Sequence, residues 1–398
     1  MNSTTPQERW DSPLEDLTIP VSREELERRR DAVLEAMRRD GVDVAFFTGS
    51  ANAWYLTGVS TTWMDTDLTG VMLSSTGRHC YVVRRLDQGW CEVWTGQSWV
   101  DEWRVFRDEE DLGDVLEEAI RRVAGPGGPR RIGLELSRAF LSHHMVTRFG
   151  SIASEGLADV TSYVEELRAI KSPAELAHIR RAGDISVEAT DAAVAALRAG
   201  ATDVEAAGVA WSLAARRGGA HEPKSVVFAG PIRTLGHITW GQKAPSPGQI
   251  VSWGISGFVH NYACPIERTI VRLPDRSGAL KKLEIVAGCV ELLEQELHPG
   301  MTSEEGARIA LEFYTRHGVA EYWLNHAAYG FGINWSEFEL FRVRPRDTRI
   351  LKAGMTLHVV PQLNVPGLGG LSASSAIVIT DSGVERLNVY PRLIEPFV

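Results

Sequence analysis

The residues of this chain best suited to chemistry lie in its second half: His237, Glu267, His326, Tyr329, Glu337 and His358. A neutral imidazole, with a reference pKa of about 6.5, takes up a proton near pH 7 and serves as a general base. A glutamate beside it either fixes its orientation or holds a substrate cation. A phenol donates one hydrogen bond to a carbonyl, or else simply fills volume. Spacing decides which of these share a face. Residues two apart on a strand point the same way, which pairs Glu267 with Pro265 and turns Arg268 to the other side. The same alternation aligns His358 with Val360, Gln362 and Asn364. Plain structural roles compete with each reading: a hydrogen-bonded core histidine for His237, an ion pair for Glu267, a cavity plug for Tyr329. Cys264 alternates away from Glu267, and no Cys–His arrangement marks it as a nucleophile.

These side chains need elements to hold them. Ser22-Arg23-Glu24-Glu25 is a capping box that opens a helix running to Asp40 and stopping at Gly41, after an irregular arm over residues 1–20. Strands are expected over 42–47, 70–74, 79–83 and 131–136, with a helix over 112–123. Alternating strands and helices predict an α/β domain. Residues 163–172 read as a connector. Pro173 then suits the first turn of a helix over 173–198, and a second helix is expected over 203–217. A meander follows, with strands over 225–229, 235–242, 249–256 and 261–272, and turns at Pro247-Gly248 and Ser256-Gly257. It places His237 and Glu267 on different strands. Helices over 278–296 and 303–317 and strands over 356–364 and 374–380 complete the chain.

Length and composition bound the partners. A chain of 398 residues favours two domains, and 44% hydrophobic with 24% charged residues is ordinary for a soluble globular protein. The net charge of −10 argues against nucleic acid, which needs a basic stripe. Arg28-Arg29-Arg30 sits among glutamates and reads as a solvated helix face. The four cysteines (Cys80, Cys91, Cys264, Cys289) show no C-x-x-C spacing and are expected as reduced thiols in the cytoplasm. Residues 1–10 are polar and carry no signal-peptide core, and no run approaches the roughly 18 apolar residues of a membrane span.

The order of several motifs resembles the creatinase, prolidase and aminopeptidase P family. Asn52-Ala53-Trp54-Tyr55-Leu56-Thr57-Gly58 is similar to that family's N-terminal domain. Glu166-Leu167-Arg168-Ala169-Ile170-Lys171-Ser172 with Glu175 resembles its connector. Pro247-Gly248-Gln249-Ile250-Val251, Glu267-Arg268-Thr269 and Lys352-Ala353-Gly354-Met355-Thr356 with Pro361 resemble its catalytic domain. The resemblance implies an α/β creatinase-like N-terminal domain over 1–165 and an α+β pita-bread domain over 166–398.

Metal-dependent members hold two cations with two Asp, one His and two Glu. Anchored on Tyr262 and Arg268, the resemblance puts Gly254, Pro265, Tyr329, Val360 and Ser374 or Ser375 at those positions. Gly, Pro and Val cannot ligate a cation, so the expectation is no metal and no cofactor. Metal-free members include ectoine hydrolases, whose nucleophilic Glu lies near the position held here by Gly254, and creatinases. Creatinases hydrolyse a C–N bond with a His base, which matches His237, and a Glu before Arg-Thr, which matches Glu267. A second creatinase Glu falls among Ser372-Ala373-Ser374-Ser375 and has no counterpart, which argues against creatine itself.

The expectation is therefore a metal-independent hydrolase of a C–N bond in a small guanidino, amidine or cyclic amide metabolite. His237 would be base then acid, Glu267 its partner, and His358 the alternative base. Tyr329, His326, His358, Asn364, Glu337 and Trp63 are the expected substrate-binding residues. Trp54 and Tyr55, in a loop-like stretch, read as core aromatics or, with the more exposed Trp63, as a surface that reaches a partner's site in a homodimer. A lyase or cyclase using the same base, or a non-catalytic binding protein, are the alternatives.

Overall fold

The computed structural model describes residues 19–59, 69–138, 140–218, 226–229, 242–324, 326–333, 335, 337 and 340–398. The chain divides into two compact units, Met1–Arg168 and Ala169–Val398.

The first unit begins with α1 (Arg23–Arg39), where the Ser22 hydroxyl accepts from Glu25 N–H at 3.2 Å. Next come β1 (Val44–Phe47), α2 (Ser50–Thr57), β2 (Gly70–Ser74), β3 (His79–Arg84), α3 (Gln88–Trp94) and β4 (Trp103–Phe106). The unit ends with α4 (Leu112–Ala124), β5 (Ile132–Leu134), α5 (His143–Ile152), β6 (Leu157–Asp159) and α6 (Thr161–Ala169). The strands form one mixed sheet in the order β4-β3-β2-β1-β5-β6. Val44, Phe46, Met72 and Val82 meet Leu116, Ile120 and Val123 of α4 and Phe149 of α5, forming the core.

Three expectations are corrected in this unit. The stretch around Trp54 and Tyr55 is a helix, stopped at Gly58 with φ +72°, a conformation glycine takes without a Cβ penalty. Trp54 and Tyr55 are both buried in it, as core aromatics. The arginine triplet is not uniformly solvated. The Arg29 guanidinium is fully buried, 3.8 Å over the Tyr55 ring, and donates to the Tyr55 carbonyl at 2.9 Å and to Glu25 at 3.0 Å. A planar, delocalised cation sheds water more readily than an ammonium, which permits this. The connector is largely the helix α6.

The second unit opens with α7 (Pro173–Arg198) and α8 (Asp203–Arg216), each started by a capping box, Ser172 with Glu175 and Thr202 with Glu205. β7 (Val226–Ala229), β8 (Ile250–Val259) and β9 (Tyr262–Val271) form an antiparallel sheet. α9 (Ala279–Glu296), α10 (Ser303–Arg316), β10 (Ala328–Gly330) and β11 (Arg342–Val343) follow. The remaining strands are β12 (Thr356–Val359), β13 (Leu363–Val365), β14 (Gly369–Leu371), β15 (Ser375–Ile379) and β16 (Val384–Arg386). A second sheet runs β11-β10-β12-β15-β16, and β13 pairs with β14. Ala189, Ala193 and Leu197 of α7 pack on Val251, Trp253 and Ile255 of β8, while α9 and α10 cover Leu357, Val359 and Ile377 of the second sheet. No helix among the described residues is long and apolar enough to cross a membrane.

Two details bear on the site. The turn expected at Ser256-Gly257 lies inside β8, and the chain reverses at His260 and Asn261, with φ +47° and +70°. Gly257 serves close packing instead: a Cβ there would come 2.4 Å from the Ala182 carbonyl of α7. The strand expected over 356–364 breaks after Val359 because Pro361 has no N–H to continue a ladder.

Candidate active site

The β8–β9 hairpin sets the register. Gly254 lies opposite Glu267 and Ser256 opposite Pro265, so all four share one face. The segment before β15 is laced to this face. Glu267 N–H donates to Ser374 Oγ at 2.8 Å, and Ser374 N–H donates to the Glu267 carbonyl at 3.0 Å. Ser372 Oγ donates to the Glu267 carboxyl at 3.2 Å.

The Glu267 carboxyl sits deep in the unit, yet the residue keeps partial solvent access. Burial pushes its pKa up to about 7, against the opposing pull of the Ser372 bond and the Arg268 charge. Arg268 points to the other face, where it donates to the carbonyls of Pro391 at 2.6 Å and Ser374 at 2.7 Å. Burial is also the main cause of its pKa falling to about 9.

β12 lies between β10 and β15, with His358 opposite Tyr329 on one side and Ala376 on the other. The His358 ring bridges its neighbours. Nδ1 is 2.7 Å from Tyr329 Oη and Nε2 is 2.7 Å from Ser374 Oγ. Trp335 Nε1 donates to Tyr329 Oη at 2.9 Å. A continuous chain of bonds thus links Trp335, Tyr329, His358, Ser374 and the Glu267 backbone.

Burial drives the His358 pKa far below that of free histidine, and the charges of Arg268 and His326 push the same way. The ring is therefore neutral and carries one N–H. When that N–H donates to Ser374, Tyr329 donates to Nδ1; the opposite tautomer reverses both bonds. Burial, with the nearby Glu267 charge, keeps the Tyr329 phenol protonated. His326 stands edge-on to Tyr329, ring centroids 5.2 Å apart. Its pKa falls to about 4, first from burial and then from Arg342 and Arg344.

An apolar cluster of Phe258, Ala263, Tyr329, Trp335 and Val360 closes around these groups. Trp335 lies against Gly254. A Cβ on Gly254 would come 2.8 Å from the indole Cη2 and 3.1 Å from Glu267 Cγ.

Of the expected site residues, the structure brings together Glu267, Tyr329, His326 and His358. His237 and Trp63 lie outside the described residues. Two others sit elsewhere. Glu337 forms a buried ion pair: one oxygen takes Lys171 Nζ at 2.7 Å and the other accepts Ile333 N–H at 3.0 Å. Asn364 stays on the β13–β14 ribbon, opposite Gly370, and accepts from Gln362 Nε2 at 3.1 Å. No bond among the described residues ties it to Glu267 or His358.

Ser372, Ser374 and Trp335 are the residues that sequence reasoning missed as parts of the network. The two serines are two apart and share a face, a signal that alternation carries. Trp335 lies outside any strand or helix and leaves no periodic signal.

This arrangement is the creatinase-like N-terminal domain followed by the pita-bread fold. The chain matches the model of the creatinase/prolidase N-terminal domain over residues 29–170 and that of metallopeptidase family M24 over residues 177–381. It belongs to metallopeptidase family M24. It is 27% identical over 250 residues to a Xaa-Pro dipeptidase of Pyrococcus furiosus, covering 62% of this chain and 71% of that protein. A Xaa-Pro dipeptidase of Pyrococcus horikoshii is 24% identical over 358 residues, covering 89% and 95%. Among solved structures, the prolidase of Pyrococcus horikoshii superposes with a TM-score of 0.80 at 22% identity, over 92% of this chain and 99% of that one.

The residues present do not fit the two cations of metal-dependent members. The resemblance puts Gly254, Pro265, Tyr329, Val360 and Ser374 or Ser375 at the ligand positions. The indole of Trp335 occupies the space a side chain at 254 would need, and the Tyr329 and Ser374 oxygens are taken up by His358. No group of three or more His, Cys, Asp or Glu among the described residues is arranged to hold a metal ion.

Proposed function

We propose that this protein is a metal-independent hydrolase that cleaves a C–N bond in a small guanidino, amidine or cyclic amide metabolite. The observation that carries it is Glu267. Its carboxyl is buried on the β8–β9 face shared with Gly254 and Pro265, hydrogen-bonded by Ser372, with a pKa raised to about 7, while the residue as a whole keeps partial solvent access. A carboxyl of that pKa exchanges a proton in either direction at neutral pH. Kinship with Xaa-Pro dipeptidases supports C–N hydrolysis, a dipeptide bond being one such bond.

In this reading His237 takes a proton from water as the oxygen adds to the substrate carbon. The C–N bond then breaks, and protonated Glu267 supplies the proton to the leaving nitrogen. His237 enters by its place in the sequence. Tyr329, His326 and His358 line the substrate's surroundings. The protein is further proposed to be a homodimer with the Trp63 region completing the partner's site; light scattering that gives a clean monomer at micromolar concentration would refute that part.

A non-catalytic binding protein is the second reading. It draws support from Trp335, Tyr329 and Val360, which pack with Phe258 and Ala263 into one apolar cluster beside Glu267 and His358. Incubating metal-stripped protein with guanidino, amidine and cyclic amide compounds, and following product by mass spectrometry, separates the two. Turnover of one class that is lost in His237→Ala supports the enzyme. Saturable binding with no product from any compound supports the binding protein.

A further inference from the structure

The N-terminal unit carries a groove of about 650 Å³ between α1, the β2–β3 turn and the end of α4. Leu34 and Val123 contribute apolar wall, Thr76, Gly77, His79 and one carboxylate, Glu102, share the lining, and four guanidinium groups complete it: Arg30, Arg38, Arg78 and Arg122. In a chain of net charge −10 this is a local reversal of sign. Two of the four are neutralised within the groove's own surroundings. Arg30 pairs with Asp31 at 2.8 Å, and Arg122 pairs with Glu102.

The other two are held without being neutralised. Arg38 Nε donates to the Ser75 carbonyl at 2.9 Å, and Arg78 Nη2 donates to the Ala124 carbonyl. Neither has a carboxylate partner among the described residues. A carbonyl fixes the position of a guanidinium but leaves its charge, and each guanidinium has five N–H donors to share. Positioned, uncompensated guanidinium groups in a concavity suit an anion with planar or multiple oxygens, which they meet through paired hydrogen bonds. The volume lies within the roughly 300–1,000 Å³ usual for small-molecule sites.

We propose that this groove binds a small polyanion, a phosphate ester or a polycarboxylate, with Arg38 and Arg78 as its charge partners. The proposal does not depend on the reading of the C-terminal site.

Isothermal titration calorimetry of the full chain at low ionic strength tests it, with inorganic pyrophosphate and citrate as separate probes. One site per chain is expected for at least one probe, weakened by added salt. Pyrophosphate alone identifies the phosphate class, citrate alone the polycarboxylate class, and both together a site that reads charge. Arg38→Gln and Arg78→Gln should each weaken binding by about tenfold, the net worth of a charged hydrogen bond. Arg308→Gln, on the exposed Arg308–Glu312 pair of α10, should leave it unchanged. The proposal is overturned if neither probe binds wild type at millimolar concentration. It is also overturned if both groove variants, folded by circular dichroism, bind as tightly as wild type.

Discussion

His358 Nε2 lies 2.7 Å from Ser374 Oγ, so the histidine on β12 bonds directly to the serine that also accepts the Glu267 backbone N–H. The other side of the ring bonds the Tyr329 hydroxyl on β10, also at 2.7 Å. One neutral imidazole thus holds together a side chain of β10 and one of the segment before β15. The polar demands of the cavity are met by a hydrogen-bond chain.

That chain makes His358 a stability residue. His358→Ala would leave the buried Tyr329 hydroxyl and Ser374 hydroxyl short of a partner and open a cavity. The expected cost is about 2–4 kcal/mol in urea unfolding. Ser374→Ala should cost about 1–3 kcal/mol, and the double variant less than the sum by about 1 kcal/mol. An unfolding midpoint for His358→Ala equal to that of wild type would refute the bridging role.

Trp335 and Gly254 should be coupled by contact. Gly254→Ala places a Cβ 2.8 Å from the indole and is expected to destabilise by about 1–3 kcal/mol. In a Trp335→Ala background the same substitution should cost less by about 1 kcal/mol, because the obstructing ring is gone and only the Glu267 Cγ contact at 3.1 Å remains. Equal costs in both backgrounds would mean that the indole does not occupy the ligand space.

Much of this was legible in the sequence, and the limits have physical causes. The Ser22 cap of α1 and the first-turn Pro173 of α7 are local signals. The facing of Glu267 and His358 followed from alternation, which holds wherever a strand is regular. The Lys171–Glu337 pair was not legible, since its partners are 166 residues apart and nothing local marks either as buried. Arg29 was misread because a charged triplet among glutamates is usually solvated, and only the nearby Tyr55 ring reveals the exception. The turn moved from Ser256-Gly257 to His260-Asn261 because the glycine answers to α7, a tertiary demand.

The pH dependence of stability has two opposing parts. Glu267 has a folded pKa of about 7, above its ordinary 4.5, so its stabilising effect is complete below 4.5 and is lost as pH rises through 7. His326, lowered to about 4, and His358, lowered further, act oppositely: the stability they contribute is present above about 6.5 and is lost as pH falls below it. Glu267→Gln removes the first part. Its stability should therefore fall more steeply than that of wild type between pH 7 and 5. At pH 8 it should exceed wild type by at most about 3 kcal/mol. Parallel melting curves across this range would show that Glu267 titrates normally.

The most direct test of the account is turnover of an identified C–N substrate by metal-stripped wild-type and Glu267→Gln protein, with a chelator present throughout. Wild type should retain full activity without metal. Glu267→Gln should fall by about 10²–10⁴-fold, the usual worth of a general acid or base. Activity that appears only when manganese, cobalt or zinc is restored, or a Glu267→Gln variant as fast as wild type, would contradict it.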